Sequence, residues 1–296
     1  MVVVFVGVQL LIAMPLAVLD SLAKTRLLGH GLVLGGINLL AFFGVLVAAR
    51  LLHRQPLAEH LARGRWLWAA AAPVLVMFTG LHFLVSELDN LVRRILPMPD
   101  FFAESMRQVL QPEGAVAAVG TFLTLVVVAP VTEELIFRGI LLRGFLRRYG
   151  LPKAALFSSL LFGLAHMNPW QFAYTTVIGM LLALVWWRTR SLGLCILAHA
   201  VNNLLVCLGA ILLPGIPGYS LMESDHPAQF QPWWLDFTGL ILTVSGTLWL
   251  IRRCRSVPAD EGLLPIEPQP VLAIGFGIPP VIREVDSPPP PMGESP

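Results

Sequence analysis

Residues 132–139 read Thr-Glu-Glu-Leu-Ile-Phe-Arg-Gly and follow directly on the apolar run AVAAVGTFLTLVVVAPV. A charge near the middle of a membrane-spanning helix costs about 2.5–3.5 kcal/mol on insertion scales. Two carboxylates and a guanidinium in such a setting therefore require a reason. On a helix, residues four apart share a face and adjacent residues point about 100° apart. Glu134 and Arg138 are then partners across one turn, with the acid on the favourable N-terminal side. Glu133 is aimed elsewhere, onto the face shared with Phe137. One acid is neutralised by its neighbour; the other is left for chemistry.

Two later apolar segments carry groups that could meet that acid. Phe162 and His166 lie one turn apart in LFGLAHMNPW, and His199 and Asn203 one turn apart in LAHAVNNLL. Imidazole and amide groups facing hydrocarbon would leave donors unpaired, so they are expected to point inward. A glutamate, two histidines and an asparagine from three segments suit amide hydrolysis. A desolvated Glu133 takes a proton from water, and His166 is the second contact of that water. His199 and Asn203 supply donors to the developing oxyanion, and Glu134, paired with Arg138, holds Glu133 in place.

Competing assignments follow from the same residues. Glu133, His166 and His199 are acceptable zinc ligands, but the chain has no H-E-x-x-H, and Glu134, the remaining base, is already paired. A metal-free site is the expectation and a zinc site the alternative. Ser158, Ser159 and Ser191 lack a G-x-S-x-G setting. Cys195 precedes His199 by one turn, yet a thiol in an apolar helix is ordinarily inert packing. His82, among phenylalanines, is read as packing too.

The elements that must position these groups are spanning helices. The chain has 296 residues, 56% hydrophobic and 13% charged, with mean hydropathy +0.75. That is too few charges for a water-soluble surface. Net charge is +2 with scattered basic residues, so nucleic acid is not an expected partner. Cys195, Cys207 and Cys254 make no disulfide framework. The expected fold is all-α and polytopic, with about eight spans near 1–19, 31–51, 67–86, 115–137, 154–167, 170–187, 192–213 and 235–251; the fifth is short enough to leave the count at seven or eight. Basic residues gather after the second, fourth, sixth and eighth spans (Arg50 to Arg65, Arg143 to Lys153, Arg188 and Arg190, Arg252 to Arg255). This places both termini in the cytoplasm. Residues 88–113 read as an extracytoplasmic amphipathic segment closing an N-terminal part, 1–114. A catalytic core occupies 115–213, a loop and last span 214–255, and a disordered Pro-rich cytoplasmic tail 256–296.

The motifs EELIFRG, FGLAH and HAVNN, in this order and in separate apolar segments, resemble the CPBP family of intramembrane proteases. This is the CAAX-prenyl-endopeptidase or Ras-converting-enzyme type, with bacteriocin-processing and immunity relatives. The resemblance covers roughly residues 115–213. It implies a helical membrane protein with an internal polar cavity that cleaves a membrane-anchored or prenylated peptide or protein in a bacterial-type cell membrane. It assigns Glu133 and His166 to water activation and His199 and Asn203 to the oxyanion, and the family has also been labelled metalloprotease. A transporter using the acids and histidines as a proton relay would show repeats in both halves, which this sequence lacks. A non-catalytic scaffold with the same cavity stays open.

Overall fold

Apolar chain in lipid must satisfy its backbone hydrogen bonds internally, and a helix does so within one segment. The computed structural model describes residues 2–23, 31–52, 68–213, 215–219 and 228–254, helical apart from short connections. All lie in Met1–Leu263, one of the chain's two units; the other, Leu264–Pro296, lies outside the described residues. So does the expected disordered tail. The helices are α1 (Val2–Ala23), α2 (Gly31–Leu52), α3 (Ala71–Ile95), α4 (Asp100–Leu110), α5 (Ala115–Leu146), α6 (Leu151–Ala165), α7 (Pro169–Thr189), α8 (Leu192–Leu212) and α9 (Trp233–Arg253). Among the described residues seven helices are long and apolar enough to cross a membrane, and α6 is a shorter apolar helix. The protein is an integral membrane protein.

Two boundaries differ from the sequence reading. Residues 88–95 do not open an amphipathic segment; they complete α3. Asp89 and Arg93 pair on that helix at 2.7 Å, which cancels the charges that suggested an exit from lipid. The amphipathic piece is α4 alone. Likewise α5 does not stop at residue 137 but runs for 32 residues, about 48 Å at 1.5 Å per residue. The Glu133–Arg138 stretch is therefore interior to a long helix, with Glu134 and Arg138 paired inside the bundle. Two π-helical stretches, Leu123–Val128 and Leu135–Leu142, interrupt α5.

α3 and α9 cross through glycines, because in lipid close backbone approach replaces a hydrophobic drive. A Cβ on Gly246 would sit 2.5 Å from the Met77 nitrogen, and one on Gly80 would sit 2.6 Å from the Gly239 carbonyl oxygen. α6 and α7 meet similarly, with a Gly179 Cβ falling 3.0 Å from that of Ser159. Around the interior of α5, the buried residues Ile136, Phe137, Phe162, Leu182 and Leu194 form the apolar wall that shields the polar groups.

Overpacking of a tight contact costs about 1–3 kcal/mol. Gly246→Leu should therefore lower the thermal unfolding midpoint in detergent clearly. Gly36→Leu, at a position with nothing within 4 Å, should leave it nearly unchanged. Equal midpoints for the two variants would contradict this packing.

Candidate functional site

The largest fully buried side chain among the described residues is a cation. Arg138 is 0% exposed, as is Glu134. The Arg138 Nη1–H donates to Glu134 Oε1 at 2.7 Å, and its Nη2–H donates to the Gly179 carbonyl of α7 at 3.0 Å. Its guanidinium also lies 4.7 Å from the centroid of the Phe162 ring. A desolvated ion pair is tolerable only when further bonds satisfy its remaining groups. The carbonyl of Gly179, brought close by the tight α6–α7 contact, supplies one of them.

Glu134 has a second partner, which spacing along one helix does not reveal. His199 of α8 is 4% exposed, and its Nδ1 lies 2.9 Å from the same Glu134 Oε1. Because that carboxylate already receives Arg138, the imidazole must be the donor, with its proton on Nδ1. Nε2 then faces the other acid, 4.0 Å from Glu133 Oε2. The two carboxylates are thus separated by environment. Glu134 is fully buried, with Arg138 and His199 both on its Oε1, whereas the Glu133 side chain keeps 14% exposure; Oε2 of each acid has no hydrogen-bond partner.

His166 is held by its own helix. It caps the C-terminal end of α6, and its Nδ1–H donates to the Phe162 carbonyl at 2.9 Å, leaving Nε2 bare. Met167 follows with φ 50°, a left-handed turn. Asn168 then caps α7, accepting from the Trp170 and Gln171 N–H groups ahead of Pro169 at the helix start. The Phe162 ring lies between both imidazoles, 5.0 Å from His166 and 5.7 Å from His199, edge-on in each case. His166 joins the cluster through Phe162. Asn203, one turn beyond His199, donates from Nδ2 to the Leu125 carbonyl at 2.8 Å. Leu125 lies in the first π stretch of α5, where wider turns release a carbonyl from the regular ladder. Among the described residues no hydrogen bond links Glu133 to His166 or to Asn203.

The spacing of the sequence indicates the Glu134–Arg138 pair. The Glu134–His199 bond, the Gly179 acceptor and the Leu125 carbonyl are not visible in it. Only the glycine itself, inside an apolar helix, was a signal of close approach. Cys195 donates its S–H to the Leu182 carbonyl at 3.6 Å. His82 is buried against Phe83 and Tyr219, with ring centroids 6.1 and 5.8 Å away. Among the described residues no three His, Cys, Asp or Glu side chains are arranged to hold a metal ion.

Residues 115–205 match the family described as Type II CAAX prenyl endopeptidase Rce1-like. A candidate membrane peptidase, YdiL of Bacillus subtilis (strain 168), is 30% identical over 82 residues, 28% of this chain and 34% of that protein. The chain thus aligns with about a third of that relative's length. No solved structure matches. Glu133, Glu134, Arg138, Phe162, His166, His199 and Asn203 all fall inside the matched segment. Through that segment the chain is similar to the Rce1-like, or CPBP, family.

Proposed function

We propose that this protein is an intramembrane endopeptidase that hydrolyses a peptide bond of a membrane-anchored protein or peptide with a water activated by Glu133. The observation that carries this reading is the division of labour between adjacent acids. Glu134 is wholly buried and takes both Arg138 and His199 on its Oε1, while the Glu133 side chain keeps 14% exposure and its Oε2, which has no hydrogen bond, lies 4.0 Å from His199 Nε2.

A water in that gap gives its proton to the Glu133 carboxylate as its oxygen attacks the scissile carbonyl carbon. His166, with Nδ1–H spent on the Phe162 carbonyl, offers Nε2 as the water's second acceptor. The oxyanion is received by the Asn203 amide, which has a second N–H besides the one on Leu125, and by His199 when Nε2 is protonated. The proton on Glu133 then passes to the leaving nitrogen as the C–N bond breaks. Glu134 fixes which face of the His199 ring meets the reaction. A general base contributes about 10²–10⁴-fold and one oxyanion donor about 10²–10³-fold. No metal is needed for this chemistry.

The substrate class is a chain presented at the membrane: a prenylated C-A-A-X protein, a bacteriocin precursor or another lipid-anchored peptide. The family match supports the first and the Bacillus relative's name supports membrane proteolysis generally. By the distribution of basic residues, both termini face the cytoplasm of a bacterial-type cell membrane.

Purified protein in nanodiscs, assayed on a membrane-anchored peptide, tests the reading. Glu133→Gln should lower kcat about 10²-fold or more at an unchanged unfolding midpoint, and Asn203→Ala should lower it by about 10²–10³. Equal cleavage by wild type, Glu133→Gln and Glu133→Ala would overturn the assignment in favour of a scaffold. Glu134→Gln should lose activity and stability together, since breaking a buried pair costs about 3–5 kcal/mol; an unchanged midpoint would contradict the buried pair. Chelator treatment should leave cleavage intact, and abolition reversed specifically by zinc would replace the glutamate mechanism with a metal one.

A further inference from the structure

The ends of α5, α7 and α9 that carry basic residues hold a second cluster, remote from Glu133. α7 terminates at Arg190, which adopts φ 52° and ψ 24° and donates its N–H to the Trp186 carbonyl at 2.7 Å. Glycine is the usual residue for that left-handed position, so an arginine there is held by something other than the backbone. Its guanidinium lies 4.6 Å from the Trp186 ring centroid and 4.4 Å from that of Trp187. Arg143, arriving from α5, places its own guanidinium 5.9 Å from the same Trp186 ring. Two like charges therefore share one indole.

Two donors of Arg190 lack acceptors: its Nε and Nη2 are buried without a hydrogen-bond partner, as are the Nε atoms of Arg188, two residues earlier, and of Arg147, just past α5. Burial pushes the Arg190 pKa down from the ordinary arginine value, as befits a cation short of water and counter-charge.

The carboxylates of the described residues lie elsewhere. Arg253 bonds the Ala69 carbonyl, so the start of α3 meets the end of α9, and Glu87, Asp89 and Asp236 are at the opposite ends of those helices. Asp100 and Glu104 belong to α4 and Glu113 precedes α5. α4 touches α7 at its start, where Asn168 meets Met106. Asp20 ends α1, which runs antiparallel to α2 through the Gln9–Asn38 bond. The start of α2 in turn meets the first half of α5, where Gly31 accepts from Thr124. Glu133 and Glu134 are in the site already described.

We propose that Arg190, clamped by Trp186 and Trp187 and joined by Arg143, is a binding site for a phosphate-type oxyanion, supplied by the headgroup of an anionic phospholipid. A guanidinium presents N–H groups in a fork that matches phosphate oxygens. Indole rings favour the membrane interface, the level at which headgroups sit, and a basic residue there gains about one kcal/mol from an anionic surface, about fivefold in binding. The clamp explains why an arginine is kept in a backbone conformation suited to glycine.

The test uses the full chain in nanodiscs of phosphatidylcholine alone or with phosphatidylglycerol, reading the unfolding midpoint and, by native mass spectrometry, the lipid retained. Wild type should retain phosphatidylglycerol preferentially and unfold at a higher midpoint with it. Arg190→Gly should lower that retention about fivefold while unfolding no earlier in phosphatidylcholine, because glycine relaxes the left-handed turn. Arg190→Lys should retain part of the preference, and Arg148→Gln, which changes the net charge equally at the same end, should retain nearly all of it. Inorganic phosphate in phosphatidylcholine nanodiscs, compared with chloride at equal ionic strength, identifies the source. If phosphate alone reproduces the stabilisation, the oxyanion site stands with a free anion as ligand. Equal retention and midpoints in both lipids without a phosphate effect, or a preference undiminished in Arg190→Gly, would overturn the proposal.

Discussion

A guanidinium that touches no water governs this protein. Arg138 sits at the centre of an apolar bundle, and an unpaired cation there would cost several kcal/mol. Its N–H groups reach a carboxylate one turn back and a backbone carbonyl on a neighbouring helix, with an aromatic ring against its face. Each contact comes from a different direction, so α5, α6 and α7 cannot shift independently without stranding charge. His199 of α8 shares the Glu134 oxygen that Arg138 uses, and the fourth helix is thereby included in the constraint.

The rest of the site follows from that knot. Because Glu134 is occupied twice, the adjacent Glu133 must project from another side of α5, and it emerges where His199 Nε2 is turned. Gly179 serves the same purpose from outside: its missing side chain lets α7 approach α6 and bring a carbonyl within reach of the arginine. The π-helical turns of α5 release the Leu125 carbonyl, and Asn203 takes it up. Local irregularity in one helix is thus matched by a polar side chain on another, which is how non-standard backbone survives in an apolar setting.

Much of this was legible in the residues because membrane burial makes polar groups conspicuous. Glu134 and Arg138 at one-turn spacing could hardly be anything but a pair, and a His and an Asn one turn apart in an apolar helix had to face inward. Legibility ended at contacts across sequence. Nothing in local spacing says which acceptor His199 chooses 65 residues away, so Glu134 read as Arg138's partner alone. Helix limits were misjudged for a related reason. Charges at Asp89 and Arg93 read as part of an amphipathic segment outside lipid, but their pairing lets α3 continue, and α5 runs on past the paired Arg138. The Trp186–Arg190–Trp187 clamp was invisible as a unit, since Arg188 and Arg190 read simply as a basic turn marking one side of the membrane.

The central claim is that Glu134 fixes the His199 ring with its proton on Nδ1, so that Nε2 is the atom offered to Glu133 and to the reaction. Nitrogen-15 spectra of histidine-labelled protein, with His199 assigned by comparison with a His199 variant, read this directly. The expected result is a ring proton on Nδ1. A form of His199 in which Nδ1 is bare and Nε2 carries the only ring proton would contradict it.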